Sequence, residues 1–406
     1  MDYWRTTRQM HELLKLAEQQ SARIVFSGDT KQIQSVEAGD ALRVLENESR
    51  LKSTSLIDVH RQTSTEYRDA IQELRREPES GFEKLDRMGA VREVAVADRA
   101  QAVARAYIES KSQDILVVCP THEEIDRVTE AIRAALKQNG SLHEPVRVER
   151  DVPLNWTASQ KSDARNMLPG QRLTFHRAVK GIAKNETLEV VRSEGKTIVA
   201  RNSRGEERSV AAKHAKAFQV HERHTIDIAA GDKLLFTANR RDSDFRATND
   251  EIATVSRVDD RGHVHLEDGR KLPADFKQFA HGYAVTAHRS QGKSVDSVII
   301  SGDAMRKELF YVAASRGRKS VQVITSDKDV LRESVAWSTA RQSASELAQK
   351  ARPGLQQGSY RGESSARQLA ARAARKVQPR TPKPAPQLNV TEQSGMERTH
   401  EYSFDR

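Results

Sequence analysis

The chain has 406 residues, 37% hydrophobic and 31% charged, with 67 Lys and Arg against 57 Asp and Glu and a formal net charge of +10. This balance is wetter than that of a chain folded along its whole length, and it favours a polyanionic partner, nucleic acid first. A single cysteine, Cys119, excludes an intramolecular disulfide; no apolar run approaches the roughly 18 residues of a spanning helix, and no signal-like core follows Met1, so the expectation is a cytoplasmic protein without a membrane partner.

Met10, Leu13, Leu14 and Ala17 recur at helical spacing and predict a helix over 6–20. Residues 23–27 read as a short buried strand that ends in a polar turn, 28–32. A helix is expected over 41–51, and strands over 91–96 and 115–119. The second of these runs into a helix over 121–136, with Thr121 as N-cap and Glu124 as its capping-box partner. Alternating strands and helices predict a mostly parallel α/β sheet. Between about 165 and 280 short alternating runs, punctuated by Gly170, Gly195, Gly205, Gly231, Gly262 and Gly269, predict an antiparallel β insertion of one or two barrels. The α/β texture returns from Phe279, with strands over 295–301 and 320–325 around a helix over 305–314. Five of the eleven prolines lie beyond 350, and residues 361–385 carry seven basic side chains and one acidic one, the composition of a disordered basic tail.

Three clusters carry chemistry. They are Val25-Phe26-Ser27-Gly28-Asp29-Thr30-Lys31-Gln32-Ile33-Gln34-Ser35-Val36, Tyr283-Ala284-Val285-Thr286-Ala287-His288-Arg289-Ser290-Gln291-Gly292-Lys293-Ser294, and Leu309-Phe310-Tyr311-Val312-Ala313-Ala314-Ser315-Arg316-Gly317-Arg318. Each falls at an expected strand end or on the neighbouring helix. In open α/β sheets ligands gather at the carboxyl ends of the strands. A glutamine in a turn after a strand can orient a water or sense a phosphate, and an arginine beside a terminal phosphate stabilises transition-state charge. Thr, His and Gln at a strand end suit sugar–phosphate contacts that read no sequence. Taken singly, Arg316 is also readable as a surface helix arginine and Gln32 as a turn residue.

In order and spacing these clusters resemble motifs III, V and VI of superfamily 1 helicases, and Asp58-Val59-His60-Arg61-Gln62 resembles motif IV. The chain is most similar to the RecD-like helicase part of MobF-class conjugative relaxases, where motif V continues as Gln291-Gly292-Lys293-Ser294-Val295-Asp296 does here. The resemblance covers roughly 6–330. It implies a RecA-like motor with the end of a first motor domain over 1–55 and a second over 56–165 and 281–335. An SH3-like β region over 166–280 interrupts the second, and a tail follows over 336–406. Gln32, Arg61 and Arg316 would be the catalytic residues, with Arg316 as arginine finger. Gly28, Asp29, Gln291 and Gly292 would join them around the nucleotide, and Thr286, His288, Gln291, Lys293 and Ser294 would lie along single-stranded DNA.

ATP and Mg²⁺ are implied by the resemblance alone. The phosphate-wrapping loop and acidic pair of the family are not read in this chain, which begins where the front half of such a motor would end. That front half would then be supplied by a separate chain. Ala287–Ser290 with Gln291-Gly292-Lys293-Ser294 fits a relaxed phosphate-loop pattern, but the next residues read as strand where a phosphate loop needs a helix. No metal ligand set is assigned. The function expected is the rear part of an ATP-driven DNA helicase of conjugative transfer, inactive without its front half. The alternatives are a non-catalytic DNA-binding module and a degenerate remnant.

Overall fold

The computed structural model describes residues 7–30, 41–49, 54, 61–112, 114–259 and 262–340, which belong to one compact unit, Met1–Ser343. Gln32, residues 58–60 of the motif IV pentapeptide and the basic tail lie outside the described residues.

The chain opens with helices α1 (Thr7–Gln19), α2 (Ala41–Glu48), α3 (Thr65–Arg76) and α4 (Pro78–Arg87). Strand β1 (Val91–Glu93), α5 (Arg99–Glu109), β2 (Ile115–Cys119) and α6 (His122–Gln138) follow. The β region runs through β3 (Val146–Pro153), the one-turn α7 (Ala158–Ser162), β4 (Arg172–Phe175), β5 (Thr187–Glu194), β6 (Thr197–Arg201), β7 (Glu207–Ala211) and β8 (Phe218–Ile228). It continues through β9 (Lys233–Phe236), β10 (Arg240–Arg241), β11 (Arg246–Ala247), β12 (Ile252–Val258), β13 (Val264–Leu266) and β14 (Phe279–His281). The chain then returns through β15 (Ala284–Thr286), α8 (Ala287–Ser290), β16 (Val295–Ser301), α9 (Lys307–Ala314), β17 (Gly317–Thr325) and α10 (Lys328–Ala336).

Five strands form a parallel sheet in the order β1-β17-β16-β2-β15. Its strands read as continuous apolar runs because helices cover both faces. The side-chain period of two then divides each strand between two cores. Leu116, Val118, Val298, Ile300 and Val323 pack with α3, α4, α9 and α10. Val117, Cys119, Ile299 and Ile324 pack with α5 and α6. Helix α3 shows how local sequence serves this arrangement. Ser64 accepts a hydrogen bond from the Tyr67 amide as N-cap, and Tyr67, Ala70, Ile71 and Leu74 form the buried stripe.

The parallel α/β sheet expected from the sequence is present. The expected strand over 23–27 is not: those residues pair with no strand among the described residues, and Val25 is 90% exposed. The expected capping box of α6 is half made. Thr121 accepts from the Glu124 amide, while the Glu124 carboxylate turns inward to Arg99 and Ser301.

The β region holds two larger antiparallel sheets, β3-β8-β4-β5-β6-β7 and β13-β12-β9-β14, over separate cores, and a two-stranded ribbon, β10-β11. Its first strand, β3, precedes the expected start at 166 and pairs with β8 along its length. The long β8 serves both cores, giving Phe218 and Val220 to one and Ile226 and Ile228 to the other. His221 on β8 is buried, and burial pushes its pKa down from 6.5 to about 4. Between those values the unfolded chain binds the proton and the folded chain does not, so stability falls as pH drops from 6.5 towards 4. A urea-denaturation series across that window should show a midpoint rising with pH. A His221→Gln variant should flatten part of the slope, and an unchanged slope would count against neutral burial of this ring.

Candidate functional site

Arg316 stands at the junction where α9 ends and β17 begins. It is 3% exposed, and so not a surface helix arginine. Its Nε donates to the Val312 carbonyl at 2.7 Å, Nη2 to the Ser315 hydroxyl at 3.0 Å and Nη1 to the Lys293 carbonyl at 3.4 Å. Arg61, distant in sequence, donates to the Ser315 carbonyl at 2.6 Å. The two guanidiniums therefore flank one turn of backbone. Burial, with the nearby Arg61 charge, lowers the Arg316 pKa to about 10, so it stays protonated at neutral pH. Among the described residues no carboxylate makes a salt bridge to either. A buried cation with a half-buried one beside it is repelled, and an entering anion would relieve the cost.

Other charges and rings surround the pair. Asp29 forms an ion pair with Arg75 of α3 at 3.3 Å, and its charge reaches Arg316 and Tyr311. Gly28 beside it is exposed. Tyr67 donates its hydroxyl to the Ala314 carbonyl. Gln62, 1% exposed, donates to the carbonyls of Ser315 at 3.2 Å and Gly317 at 2.8 Å. Gln62, Tyr67, Arg75 and Tyr311 were not singled out from sequence. Gln62, adjacent to Arg61 in the motif IV pentapeptide, and Tyr311, within the third cluster, carried a signal that could have found them.

The expectation that the clusters gather at the carboxyl ends of the strands needs correction. Arg316 and the Arg61 guanidinium lie at the amino end of β17, because Arg316 directly precedes its first residue, Gly317. Thr286 lies at the carboxyl end of β15, where it caps α8 by accepting from the Arg289 amide at 3.4 Å. The segment 286–294 thus crosses from one edge of the sheet to the other. His288 and Ser294 are exposed, and Gln291 and Lys293 are half-buried. Gly292 takes a φ of +82°, a left-handed turn that glycine adopts without strain. Lys293 donates its amino group to the Asp250 carbonyl of the β region. Asp250 also forms an ion pair with Arg289 at 3.3 Å. The residues after Lys293 enter strand β16, which rules against a phosphate loop here.

The carboxyl edge has its own charges, and they satisfy one another. Arg99 pairs with Glu124 at 2.9 Å and with Asp303. Burial favours the neutral Asp303 carboxyl, yet hydrogen bonds from Ser326, Thr325 and Arg99 outweigh it and bring the pKa down to about 2. Closed networks of this kind hold elements together. The uncompensated cations are at the amino edge.

Gly317 makes the close packing there possible. A Cβ at this position would stand 2.5 Å from the Ser320 carbonyl oxygen and 2.7 Å from the Tyr67 hydroxyl. Gly317→Ala is expected to cost about 1–3 kcal/mol by overpacking and to push Tyr67 off the Ala314 carbonyl. Equilibrium unfolding checks the size. A neutral result would show that β17 can yield.

Comparison with known proteins adds ancestry to this geometry. An AAA domain family model matches residues 5–96. The conjugal transfer protein TraA of Rhizobium radiobacter is 24% identical over 329 residues, which cover 78% of this chain and 23% of that protein. The multifunctional conjugation protein TraI of Escherichia coli K12 is 28% identical over 186 residues, 41% of this chain and 10% of that protein. Among solved structures, Bacteroides Pif1 bound to single-stranded DNA aligns at a TM-score of 0.29 and 14% identity, over 76% of this chain and 64% of that one. Candida albicans Pif1 helicase aligns at 0.31 and 13%, over 75% and 64%. By sequence the chain is similar to conjugal transfer proteins, and it spans about a quarter of the length of the TraA relative it matches.

Proposed function

We propose that this chain supplies the rear half of a superfamily 1 DNA motor used in conjugative transfer. Arg61 and Arg316 meet the terminal phosphate of a nucleotide, and the segment 286–294 links that site to a strand of DNA. The observation that supports this most is the buried Arg316 guanidinium with the half-buried Arg61 beside it, brought together from distant parts of the chain without a carboxylate between them among the described residues. Thr286, His288, Gln291 and Ser294 are read as contacts to the sugar–phosphate backbone. Gln291 and Gly292 also border the nucleotide, as do Gly28, Asp29 and Gln32 from the preceding motor segment. Lys293 acts through its carbonyl, which accepts from Arg316. The β region is read as an SH3-like module over about 166–280, and the tail beyond 336 as a basic segment drawn to the same polyanion.

ATP fits the arginine pair through its terminal phosphate. For Mg²⁺ the described residues hold no group of three His, Cys, Asp or Glu side chains that could take a metal ion, so no step is assigned to it. No helix among the described residues is long and apolar enough to cross a membrane.

The reading is tested by binding of a fluorescent oligo-dT and by phosphate release from ATP, each at several salt concentrations. Affinity should fall with salt at a logarithmic slope of roughly −0.7 per phosphate contacted. Binding that ignores salt would sink the DNA part. Salt-sensitive binding that never couples to nucleotide would leave a DNA-holding module.

A further inference from the structure

We infer that Gln62 is the positioning residue for Arg316, acting on the backbone that carries the guanidinium and leaving contact with any ligand to the arginines. The inference rests on the reading of Arg316 as the side chain that meets a terminal phosphate. Its physical basis is a clamp built from one short stretch, 61–67. That stretch places donors on four carbonyls around Arg316. Tyr67 Oη donates to Ala314, and Arg61 Nη1 to Ser315 at 2.6 Å. Thr63 donates to Arg318 through its amide at 2.8 Å and its hydroxyl at 3.1 Å. Gln62 is the member that spans Arg316, because its single Nε2 reaches the carbonyl before it and the carbonyl after it, at 3.2 and 2.8 Å.

This geometry demands a primary amide. Two N–H groups diverging from one nitrogen match two carbonyls separated by one residue. The amide orientation follows, since turning it over would face an oxygen towards two carbonyl oxygens. Its Oε1 is then buried without a hydrogen-bond partner among the described residues, a cost tolerated where a functional arrangement requires it. Gln62 is itself tied down: Arg68 of α3 donates to its carbonyl through Nη2 at 2.8 Å and Nε at 3.3 Å. Arg316 carries an uncompensated buried charge beside Arg61, and repulsion would swing it outward if its peptide were loose. The clamp opposes that motion while adding no negative charge that would compete with an anion.

The test is amide hydrogen exchange on the whole chain, comparing wild type, Gln62→Met and Ile71→Val. Methionine keeps the volume and removes both donors; the α3 core variant loses packing alone. Exchange over 315–318 should rise about tenfold or more in Gln62→Met, with the rest of the chain unchanged, and should stay put in Ile71→Val. No local rise, or an equal rise in both variants, overturns the inference. The second measurement is the shift in melting temperature on adding Mg²⁺ and ATPγS. A smaller shift in Gln62→Met than in wild type supports positioning of the guanidinium, and equal shifts overturn it. If wild type itself shows no shift, the chain does not hold nucleotide on its own, and the exchange result alone decides whether the clamp exists.

Discussion

Asp232→Ala should lower the unfolding free energy by about 3–5 kcal/mol, the range for removing one partner from a buried ion pair. Asp232 lies in the turn between β8 and β9, fully buried. Arg133 of α6 donates to both of its oxygens at 2.9 Å, Tyr283 donates at 2.8 Å and the Ala229 amide at 2.7 Å. Arg133 also reaches the Asp227 carbonyl at 2.9 Å. These bonds join the β region to the helical layer over the parallel sheet. Truncation would strand a largely shielded guanidinium and a buried phenol together. Arg133→Ala should cost nearly as much, and the double variant clearly less than the sum, because the two act as a unit. Urea denaturation at neutral pH measures all three. A loss under about 1 kcal/mol for Asp232→Ala would put the pair in the class of surface ion pairs and refute the role of a bolt. The pH dependence has a definite sign. Burial favours the neutral carboxyl, but the bonds from Arg133, Ala229 and Tyr283 prevail and hold the pKa below the usual carboxylate value. The contribution is therefore complete above the unfolded pKa and is lost as pH falls through the folded one.

Arg316→Ala should reduce DNA-stimulated phosphate release by roughly 10³-fold, the scale of an arginine acting on a transferring phosphoryl group, while oligonucleotide affinity stays within about twofold, well inside one phosphate contact. The assay is run on whatever assembly of this chain hydrolyses ATP. Arg316→Lys should not restore turnover, because an ammonium cannot reproduce the planar fork that bonds Val312, Ser315 and Lys293 at once. Stability should move little or rise in Arg316→Met. The lowered pKa of Arg316 records that its charge is held at a cost in the folded protein, and sites kept for function often show this conflict. Equal losses of turnover and DNA affinity would remove the arginine-finger reading. A large fall in melting temperature for Arg316→Met would recast the side chain as structural.

Much of the α/β outline was legible because the strands of the parallel sheet are buried on both faces. The run Ile115–Cys119 has to be a strand of a covered sheet, and the stripe of α6 follows from helical spacing. Boundaries were less legible. The strand over 146–153 alternates weakly and carries charges at Arg147, Glu149, Arg150 and Asp151. Its membership in the β region appears only through pairing with β8. Residues 23–27 read as a strand from their apolar run, but they pair with no strand among the described residues.

By itself the sequence determined the parallel α/β texture and the antiparallel interruption and singled out Arg61 and Arg316 as candidates, because period, turn residues and motif order are local properties. Only the tertiary structure decided that those arginines meet at the amino edge of the sheet, that Gln62 straddles one of them and that Lys293 turns towards Asp250. Such juxtapositions depend on how the strands are ordered and on which carbonyls remain open at their ends, and neither is written in any local stretch of chain.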